Sequence, residues 1–365
     1  MKKSITFLVL ICSLISVYAV SFVAMGDNRP SRDTDPPPEI FLKMLKEIEA
    51  DTAASFIVST GDIVIGVRRN KAGRPIERQY ADYEAAIKKF CTKPIFISPG
   101  NHDICNDQKA LECFLKTTSQ VRTYYSFDRG DIHFVCIDTA EIYNKHCMSD
   151  EQFQWLKTDL QENRIETVIV FGHEPLFPVS DHVGSSLDAC PSTQEKLVGL
   201  FDKHDVDIYL CGHEHLFSET RHGKLVQLIT GGAGAPLRTP AIFGGFYHYI
   251  RFTMTEKGLT WKLRRFPEKS GKPIKYFRQS DGKDRSYYIE YSPAAETFPA
   301  GLSAQYELDG RSEMDQEIRM EMTDGKFHCL IPVGEESKKL YINFLTDKGE
   351  IISYSPGNPF RIYLR

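Results

Sequence analysis

The sequence predicts a layered α/β fold followed by a small β-sandwich. From Ser21 to about Phe266, short apolar runs alternate with amphipathic helical patterns, which is expected where helices cover a sheet. Several of these runs end in glycine followed by a polar side chain. After about Pro267 the pattern changes to short strands such as SYYIEYS and KKLYINFLT, separated by Gly, Asp, Lys and Pro.

The bulk composition is that of a globular protein with one large and one small domain. The chain has 365 residues, of which 41% are hydrophobic and 26% are charged. The formal net charge of −4 shows no basic excess. Nucleic acid is therefore not expected as a partner, and a small or locally bound substrate fits better. The oligomeric state is left open.

Residues 1–19 have the pattern of a signal peptide. Two lysines precede an apolar run from Ile5 to Ala19, with Val17 and Ala19 at the −3 and −1 positions of a cleavage site. We therefore expect export to the periplasm or the medium. Retention of Ile5–Val23 as a membrane anchor is the alternative, because the apolar run continues into the first strand.

The predicted mature chain has two domains, an α/β domain over residues 20–266 and a β-sandwich over 270–365. Helices are expected to start near Asp35, Ser149 and Ser192, and the last two have Gln or Glu three residues later, as in a capping box. The aromatics of the second domain are expected to pack in its core. The candidates for stacking on a sugar would be Tyr341, Phe344, Tyr354 and Phe360.

The cysteines favour an oxidising compartment. The chain has nine, and Cys12 lies in the predicted leader, which leaves an even number. Two pairs in polar loop sequence are candidate disulfides. The pairs are Cys105 with Cys113 and Cys147 with Cys190. In contrast, Cys136 and Cys211 lie in apolar runs and are expected to be buried free thiols.

Five apolar runs place a potential metal ligand at the end of a strand. The motifs are GDN, GDIVIG, GNHD, GHEP and GHEH. Strand ends are rigid and meet at one edge of a sheet, and a site for two divalent cations needs such a mixture of carboxylate, amide and imidazole. One strand-end Asp or His is usually a turn or hydrogen-bonded residue. Five in order are not expected from turn chemistry.

The order and spacing of these motifs resemble the calcineurin-like metallophosphoesterase superfamily. The resemblance runs from about Phe22 to Gly232 and includes EQFQWLKTDL and LITGGAGAP, which look like exported bacterial members. It implies a four-layer α/β/β/α sandwich that hydrolyses a phosphate monoester or diester by a hydroxide bridging two metals. The cofactors would be two divalent ions, Mn, Fe or Zn. The substrate would be a phosphorylated small molecule or a phosphorylated group on a surface.

The resemblance also implies a role for each motif residue. Asp62 would bridge the two ions, and Asp27 and His215 would complete the first site. His102 would face the substrate and protonate the leaving alkoxide or steady the phosphate. The second-site ligands would be Asn101, His173 and His213. We expect structural or surface roles for the histidines outside the motifs, which are His133, His146, His182, His204, His222, His248 and His328.

Two positions depart from the family pattern. Many members have His or Gln where this chain has Arg29, and a guanidinium cannot ligate a cation. Arg29 would instead bind the substrate phosphate, with a surface salt bridge as the alternative. Ile65 stands where the family often has Asp or Asn to orient His102, and where purple acid phosphatases have a metal-binding Tyr. Ile65 therefore argues against a purple acid phosphatase proper. Asp103 or Asp138 would be substitute partners of His102.

The substrate pocket is predicted only in outline. The basic run Arg68–Arg78 would recruit an anionic substrate or simply be a solvated loop, and the second reading is favoured. Tyr143, Phe177 and Phe217 would line the rim. The alternative function is a non-catalytic surface or glycan-binding protein with a vestigial metal site, because Arg29 and Ile65 occupy accessory positions where erosion often begins.

Overall fold

The computed structural model describes most of the first 266 residues and the strands that follow. The described ranges are 20–67, 73–239, 244–266, 274–280, 285–291, 302–308, 316–323, 326–333, 339–346, 351–352 and 360–363. The predicted leader, with Cys12, lies outside them. Within these ranges no helix has both the length and the apolar character needed to cross a bilayer.

Strands are interspersed with helices up to Phe266, and the elements described after it are strands. The first strands are β1 Ser21–Met25, β2 Phe56–Ser59, β3 Ile95–Ile97, β4 Tyr125–Arg129, β5 Ile132–Cys136, β6 Thr167–Phe171, β7 Ile208–Cys211, β8 Phe217–His222, β9 Leu225–Thr230, β10 Tyr247–Thr255 and β11 Gly258–Phe266. The helices are α1 Glu39–Ala50, α2 Ile76–Phe90, α3 Asn101–Ile104, α4 Gln108–Thr118, α5 Asp150–Glu162 and α6 Pro191–Lys203, with a 3₁₀ turn at Leu187–Ala189. The later strands are β12 Ile274–Ser280, β13 Arg285–Tyr291, β14 Leu302–Leu308, β15 Gln316–Arg319, β16 Glu321–Thr323, β17 Lys326–Val333, β18 Lys339–Thr346, β19 Ile351–Ile352 and β20 Phe360–Tyr363.

Two mixed sheets carry the motifs. The first has the order β11-β10-β1-β2-β3, and β1, β2 and β3 are parallel. The second has the order β4-β5-β6-β7-β9-β8, and β5, β6, β7 and β9 are parallel. Parallel strands end at the same edge of a sheet, so the motifs after β1, β2 and β3 share one edge and those after β6 and β7 share another.

The apolar residues of each parallel strand are buried on both faces. Along β1, Phe22 and Ala24 pack between the two sheets against Phe134 and Phe171. Val23 and Met25 point the other way, toward α1, α2 and α4. The outer face of the second sheet packs in the same way against α5 and α6. The predicted α/β/β/α layering is confirmed, and burial on both faces explains why the strands read as continuous apolar runs.

Two of the three predicted helix starts are wrong. Ser149 caps α5 as predicted, because its hydroxyl accepts from the Gln152 backbone N–H at 3.2 Å. Helix α6 begins at Pro191 rather than after Ser192, since the fixed φ of proline suits the first helical position. Helix α1 begins at Glu39, after an extended proline run, rather than near Asp35.

Two small antiparallel sheets follow the α/β part. Their orders are β12-β13-β17-β16 and β15-β14-β18-β19, and β20 pairs with β18. Alternate residues of β13 and β17 share an apolar core with those of β14 and β18, which includes Phe344. Phe344 is fully buried and packs as expected. Tyr341 is partly buried. Tyr354 lies outside the described residues, and the side chain of Phe360 is not described.

One of the two predicted disulfides is present. Cys147 and Cys190 are bonded, with their Cα atoms 5.5 Å apart. The prediction of a Cys105–Cys113 bond is wrong, because both are free thiols. The Cys105 thiol donates to the carbonyl of His102 at 2.9 Å instead. Cys136 and Cys211 are free and buried, as predicted.

Candidate metal centre

The five motifs converge at the facing edges of the two sheets. Ligand atoms of Asp27, Asp62 and His173 all lie within 4.8 Å of one another, although these residues follow β1, β2 and β6. Asn101 Oδ1 lies 3.0 Å from His173 Nε2, and His213 Nδ1 lies 3.2 Å from the same nitrogen. His215 Nε2 lies 3.5 Å from Asp27 Oδ1. The structure therefore brings together all six residues that the sequence predicts as ligands.

Three of the six residues adopt a backbone conformation that costs energy. The φ angles of Asp27, Asp62 and His213 are 56°, 56° and 69°. Residues with a Cβ rarely adopt positive φ, and such strain persists only where the surrounding structure enforces it. Strain at three strand ends around one point is typical of a functional site.

A glycine precedes five of the six ligands and lets the chains approach. A Cβ at Gly100 would lie 2.2 Å from Asp62 Oδ1, and a Cβ at Gly212 would lie 2.4 Å from Asp27 Oδ2. Each distance is shorter than any van der Waals contact. These glycines explain the Gly-ligand pattern of the sequence, because a larger residue would displace a carboxylate from the site.

Backbone carbonyls orient the three imidazoles. His173 Nδ1 lies 2.8 Å from the Thr60 carbonyl, and His215 Nδ1 lies 2.7 Å from the Pro236 carbonyl. His213 Nε2 lies 3.2 Å from the Ser185 carbonyl. A carbonyl only accepts, so each of these nitrogens carries a proton, and the other nitrogen of each ring faces the centre, where it can bind a cation in place of a proton.

The donor set fits a cation. His173 Nε2 and His213 Nδ1 face each other at 3.2 Å, and the oxygens of Asn101 and Asp62 lie 3.0 and 3.4 Å from His173 Nε2. Asp27 Oδ1 is buried and makes no hydrogen bond within the described part of the chain. Converging acceptors and an orphaned buried carboxylate oxygen are costly unless positive charge lies among them.

Electrostatics in the centre favour an ionised Asp62 and a neutral His213. Burial alone would raise the pKa of Asp62, but His173, His102 and Arg29 outweigh burial and hold that pKa well below its usual value. Burial and the nearby His173 and His182 lower the pKa of His213 well below its usual value. A carboxylate and a neutral imidazole are the forms that bind metal.

Arg29 is buried beside the centre. Its Nε donates to Asp62 Oδ2 at 3.3 Å, and its side chain is only 6% exposed. The alternative prediction of a surface salt bridge is therefore wrong, because the partner is the central carboxylate and both side chains are buried. Arg29 also lines the cleft that opens from the centre.

His102 is oriented by a carbonyl rather than by a carboxylate. Its Nδ1 lies 2.8 Å from the backbone oxygen of Ile65, while its Nε2 lies 4.0 Å from Asp62 Oδ2. The substitute partners that the sequence suggests are not used. Asp103 accepts from the backbone N–H groups of Asp62, Ile63 and Gly100, and Asp138 accepts from that of Ala140.

A cleft of about 870 Å³ adjoins the centre. This volume is in the range of small-molecule sites. Of the three predicted rim aromatics only Tyr143 lines the cleft, and its side chain is 86% exposed. Phe177 stacks on His222, and Phe217 packs against Phe246. The cleft walls also include Asn101, His102, Lys145, His146, Glu174, His213 and Arg238.

The basic run Arg68–Arg78 is described only from residue 73 onward. Arg74 and Arg78 both form ion pairs with Asp82 of α2. These two arginines are therefore paired with a carboxylate of the fold. This agrees with a structural role for the described part of the run, rather than with recruitment of an anionic substrate.

Sequence reasoning missed three residues near the centre. Asp103 accepts backbone hydrogen bonds from two motifs, from Asp62 of GDIVIG and from Gly100 of GNHD. Its place within GNHD was the sequence feature that could have indicated this role. His146 and Glu174 form a hydrogen-bonded pair in the cleft wall. No spacing rule connects these two, since they are 28 residues apart and neither is a predicted ligand.

Comparison with known proteins agrees with this geometry. The model of the calcineurin-like phosphoesterase family matches residues 23–217. Tartrate-resistant acid phosphatase type 5 of Oryctolagus cuniculus is 31% identical over 244 residues, which are 58% of this chain and 72% of that protein. Acid phosphatase type 7 of Homo sapiens is 29% identical over 168 residues, which are 40% of this chain and 37% of that protein.

Another similar protein bears a name that denies activity. Probable inactive purple acid phosphatase 9 of Arabidopsis thaliana is 30% identical over 174 residues, which are 38% of this chain and 26% of that protein. Among solved structures, purple acid phosphatase PPD1 of Lupinus luteus has a TM-score of 0.53 at 18% identity, over 68% of this chain and 51% of that one. This likeness shows the fold alone.

Proposed function

This chain belongs to the calcineurin-like phosphoesterase family, and from that premise we propose that it hydrolyses a phosphate monoester or diester. The metal ligands would be Asp27, Asp62, Asn101, His173, His213 and His215, with Asp62 as the bridge between two divalent cations. Manganese, iron and zinc all suit this mixed oxygen and nitrogen set. The substrate would be a phosphorylated small molecule or a phosphorylated group on a surface.

One observation carries the proposal. Polar atoms of Asp62, Asn101 and His213 surround His173 Nε2 at 3.0 to 3.4 Å, and ligand atoms of Asp27, Asp62 and His173 lie within 4.8 Å of one another. This arrangement is stable only around positive charge. Two divalent cations bound there would lower the pKa of a coordinated water and neutralise charge on the phosphate oxygens.

The chain's own residues would position the ester. Arg29 uses Nε for Asp62 and Nη1 for the Pro30 carbonyl, and its remaining N–H groups would bind a phosphate oxygen. The Ile65 carbonyl holds the ring of His102, so that Nε2 would reach the phosphate or the leaving oxygen. Isoleucine at position 65 provides no ligand, and we therefore keep this chain apart from purple acid phosphatases proper.

We also propose export and the two-domain division at residues 266–270. A disulfide such as Cys147–Cys190 is typical of proteins that function in an oxidising compartment. The alternative is a non-catalytic surface or glycan-binding protein with a vestigial metal site, and the name of one relative supports it.

Metal analysis and ester hydrolysis test the proposal together. The purified protein is expected to bind two ions per chain and to hydrolyse p-nitrophenyl phosphate or bis-p-nitrophenyl phosphate with added Mn²⁺, Fe²⁺ or Zn²⁺. Ca²⁺ serves as the control ion, because it prefers oxygen ligands. Absence of bound metal together with absence of turnover in every ion would favour the non-catalytic alternative.

A further inference from the structure

His146 and Glu174 form a hydrogen-bonded pair in the wall of the cleft. His146 Nδ1 lies 2.8 and 3.0 Å from the two carboxylate oxygens of Glu174, whose side chain is only 2% exposed. This hydrogen-bonded contact fixes the orientation of the His146 ring. Within the described ranges Nε2 of His146 has no hydrogen-bond partner, and His146 lines the cleft together with Asn101, His102 and His213.

Glu174 is fixed by the same strand end that delivers His173 to the centre. Its backbone N–H donates to Thr139 Oγ1 at 3.0 Å, and its carbonyl accepts from the Tyr209 hydroxyl at 2.7 Å. The preceding His173 is held by the Thr60 carbonyl. The His146 ring is therefore tied to the metal centre through one rigid segment rather than through a mobile loop.

The loop that carries His146 is also constrained on its own side. His146 and Tyr143 have positive φ angles of 61° and 68°. Cys147, the next residue, is bonded to Cys190, and the Tyr143 N–H donates to Asn106 Oδ1 at 2.7 Å. A strained histidine that lines a cleft, lies next to a disulfide-bonded cysteine and is hydrogen-bonded to a buried carboxylate is over-determined for a surface role.

We propose that His146 is a second catalytic histidine of the cleft, which donates its Nε2 proton to the leaving-group oxygen, and that Glu174 is its positioning residue. The proposal rests on the proposed phosphoesterase function. It assigns the two candidate roles of His102 to different residues, so that His102 holds the phosphate and His146 protonates the leaving group.

The step balances as an ordinary hydrolysis. The bond from phosphorus to the alkoxide oxygen breaks while an oxygen derived from water forms its bond to phosphorus. The Nε2 proton of His146 goes to the alkoxide, which leaves as an alcohol. The proton that the attacking water loses returns to the imidazole by the end of the turnover, so one water is consumed for each ester.

Leaving-group dependence tests this role. The test compares p-nitrophenyl phosphate, whose leaving group is stable without a proton, with glycerol phosphate, whose alkoxide needs one. His146→Gly suits the purpose, since glycine adopts positive φ without strain. We expect turnover of glycerol phosphate to fall roughly 100-fold or more, with a far smaller loss for p-nitrophenyl phosphate. Added imidazole should restore part of the glycerol phosphate activity.

Metal content and two further variants complete the experiment. His146→Gly should bind as much metal as wild type. Glu174→Gln should show the same leaving-group selectivity in milder form, whereas His102→Ala should slow both esters alike. Equal loss on both esters in His146→Gly, loss of metal, or selectivity found in His102→Ala instead, would overturn the assignment. A wild-type protein inactive on both esters would refute the underlying function rather than this role.

Discussion

Arg29 donates from Nε to Oδ2 of Asp62 across 3.3 Å, with both side chains shielded from water. Arg29, which cannot ligate a cation, is thus paired with Asp62, the carboxylate that would bridge two metal ions. The guanidinium partly offsets the charge of Asp62 and remains at the wall of the cleft. Arg29 therefore replaces a ligand of the family pattern with a fixed positive charge.

Replacing Arg29 should weaken substrate binding more than metal binding. Arg29→Ala removes charge-assisted hydrogen bonds to phosphate, each worth about 1.5–3 kcal/mol, so KM is expected to rise roughly tenfold or more. Steady-state kinetics with metal analysis measures both effects. Arg29→Lys keeps the positive charge but not the planar guanidinium, so its KM should lie between those of wild type and Arg29→Ala. Unchanged kinetics in Arg29→Ala would remove its assignment to the phosphate.

Asp62→Asn should abolish turnover and leave the fold intact. Asparagine tolerates the positive φ of this position, 56°, and keeps the side-chain volume. Loss of the bridging charge should reduce kcat by at least about 10³-fold and lower the bound metal. Circular dichroism and thermal melting serve as the folding control. A near-normal rate in this variant would refute the bridging assignment.

Asp103→Ala should lower the free energy of unfolding, in addition to any effect on the chemistry. The Asp103 carboxylate accepts from the backbone N–H groups of Asp62, Ile63 and Gly100 at 2.8 to 2.9 Å. Leaving these buried donors unpaired should lower the free energy of unfolding, measured in urea, by about 2–4 kcal/mol. The exposed Asp131→Ala is the matched control and should change stability by less than about 0.5 kcal/mol. Equal stability of both variants would contradict this reading.

Reduction of the Cys147–Cys190 bond should lower stability. The bond joins two cysteines that are 43 residues apart in the sequence. Its loss is expected to lower the free energy of unfolding by about 2–4 kcal/mol. Thermal melting with and without dithiothreitol measures the effect. Because Cys113 is a free thiol, Cys113→Ser should respond to the reductant as wild type does. A melting temperature that ignores the reductant would argue against the bond.

His133 should make part of the stability depend on pH. Burial opposes its charged form, but hydrogen bonds to Asp159 and Asp128 outweigh burial and raise the His133 pKa. A raised folded pKa means that the stabilisation is full below the unfolded value of about 6.5 and is lost as pH rises through the folded pKa.

His133→Gln should therefore reduce the free energy of unfolding more at pH 6 than at pH 9. Denaturant unfolding at both values measures the difference. His204→Gln is the control, because His204 is not held by two carboxylates and its pKa is lowered, by burial and by Lys203. An equal loss at the two pH values in His133→Gln would show that the ring acts only by packing.

The local sequence pattern was sufficient to predict a layered α/β domain and the residues at the strand ends, whereas the four-layer order came from the family resemblance. Runs such as SFVAM are buried on both faces, and that burial requires uninterrupted apolar residues. The glycines before Asn101 and His213 are also visible in the local motif, and they are required because a Cβ at either position would clash with a carboxylate. Ser149 was found for a similar reason, because a capping hydroxyl acts within one helical turn.

Contacts between distant segments were decided only by the tertiary structure. Cys105 and Cys113 are near in sequence yet unbonded, whereas Cys147 bonds to a cysteine 43 residues away. Likewise, the burial of Arg29 against Asp62 and the pairing of His146 with Glu174 depend on which loops the folded sheets bring together. A side chain's type and its neighbours in sequence determine what it is able to bind. The partner it meets depends on packing between elements that no local pattern encodes.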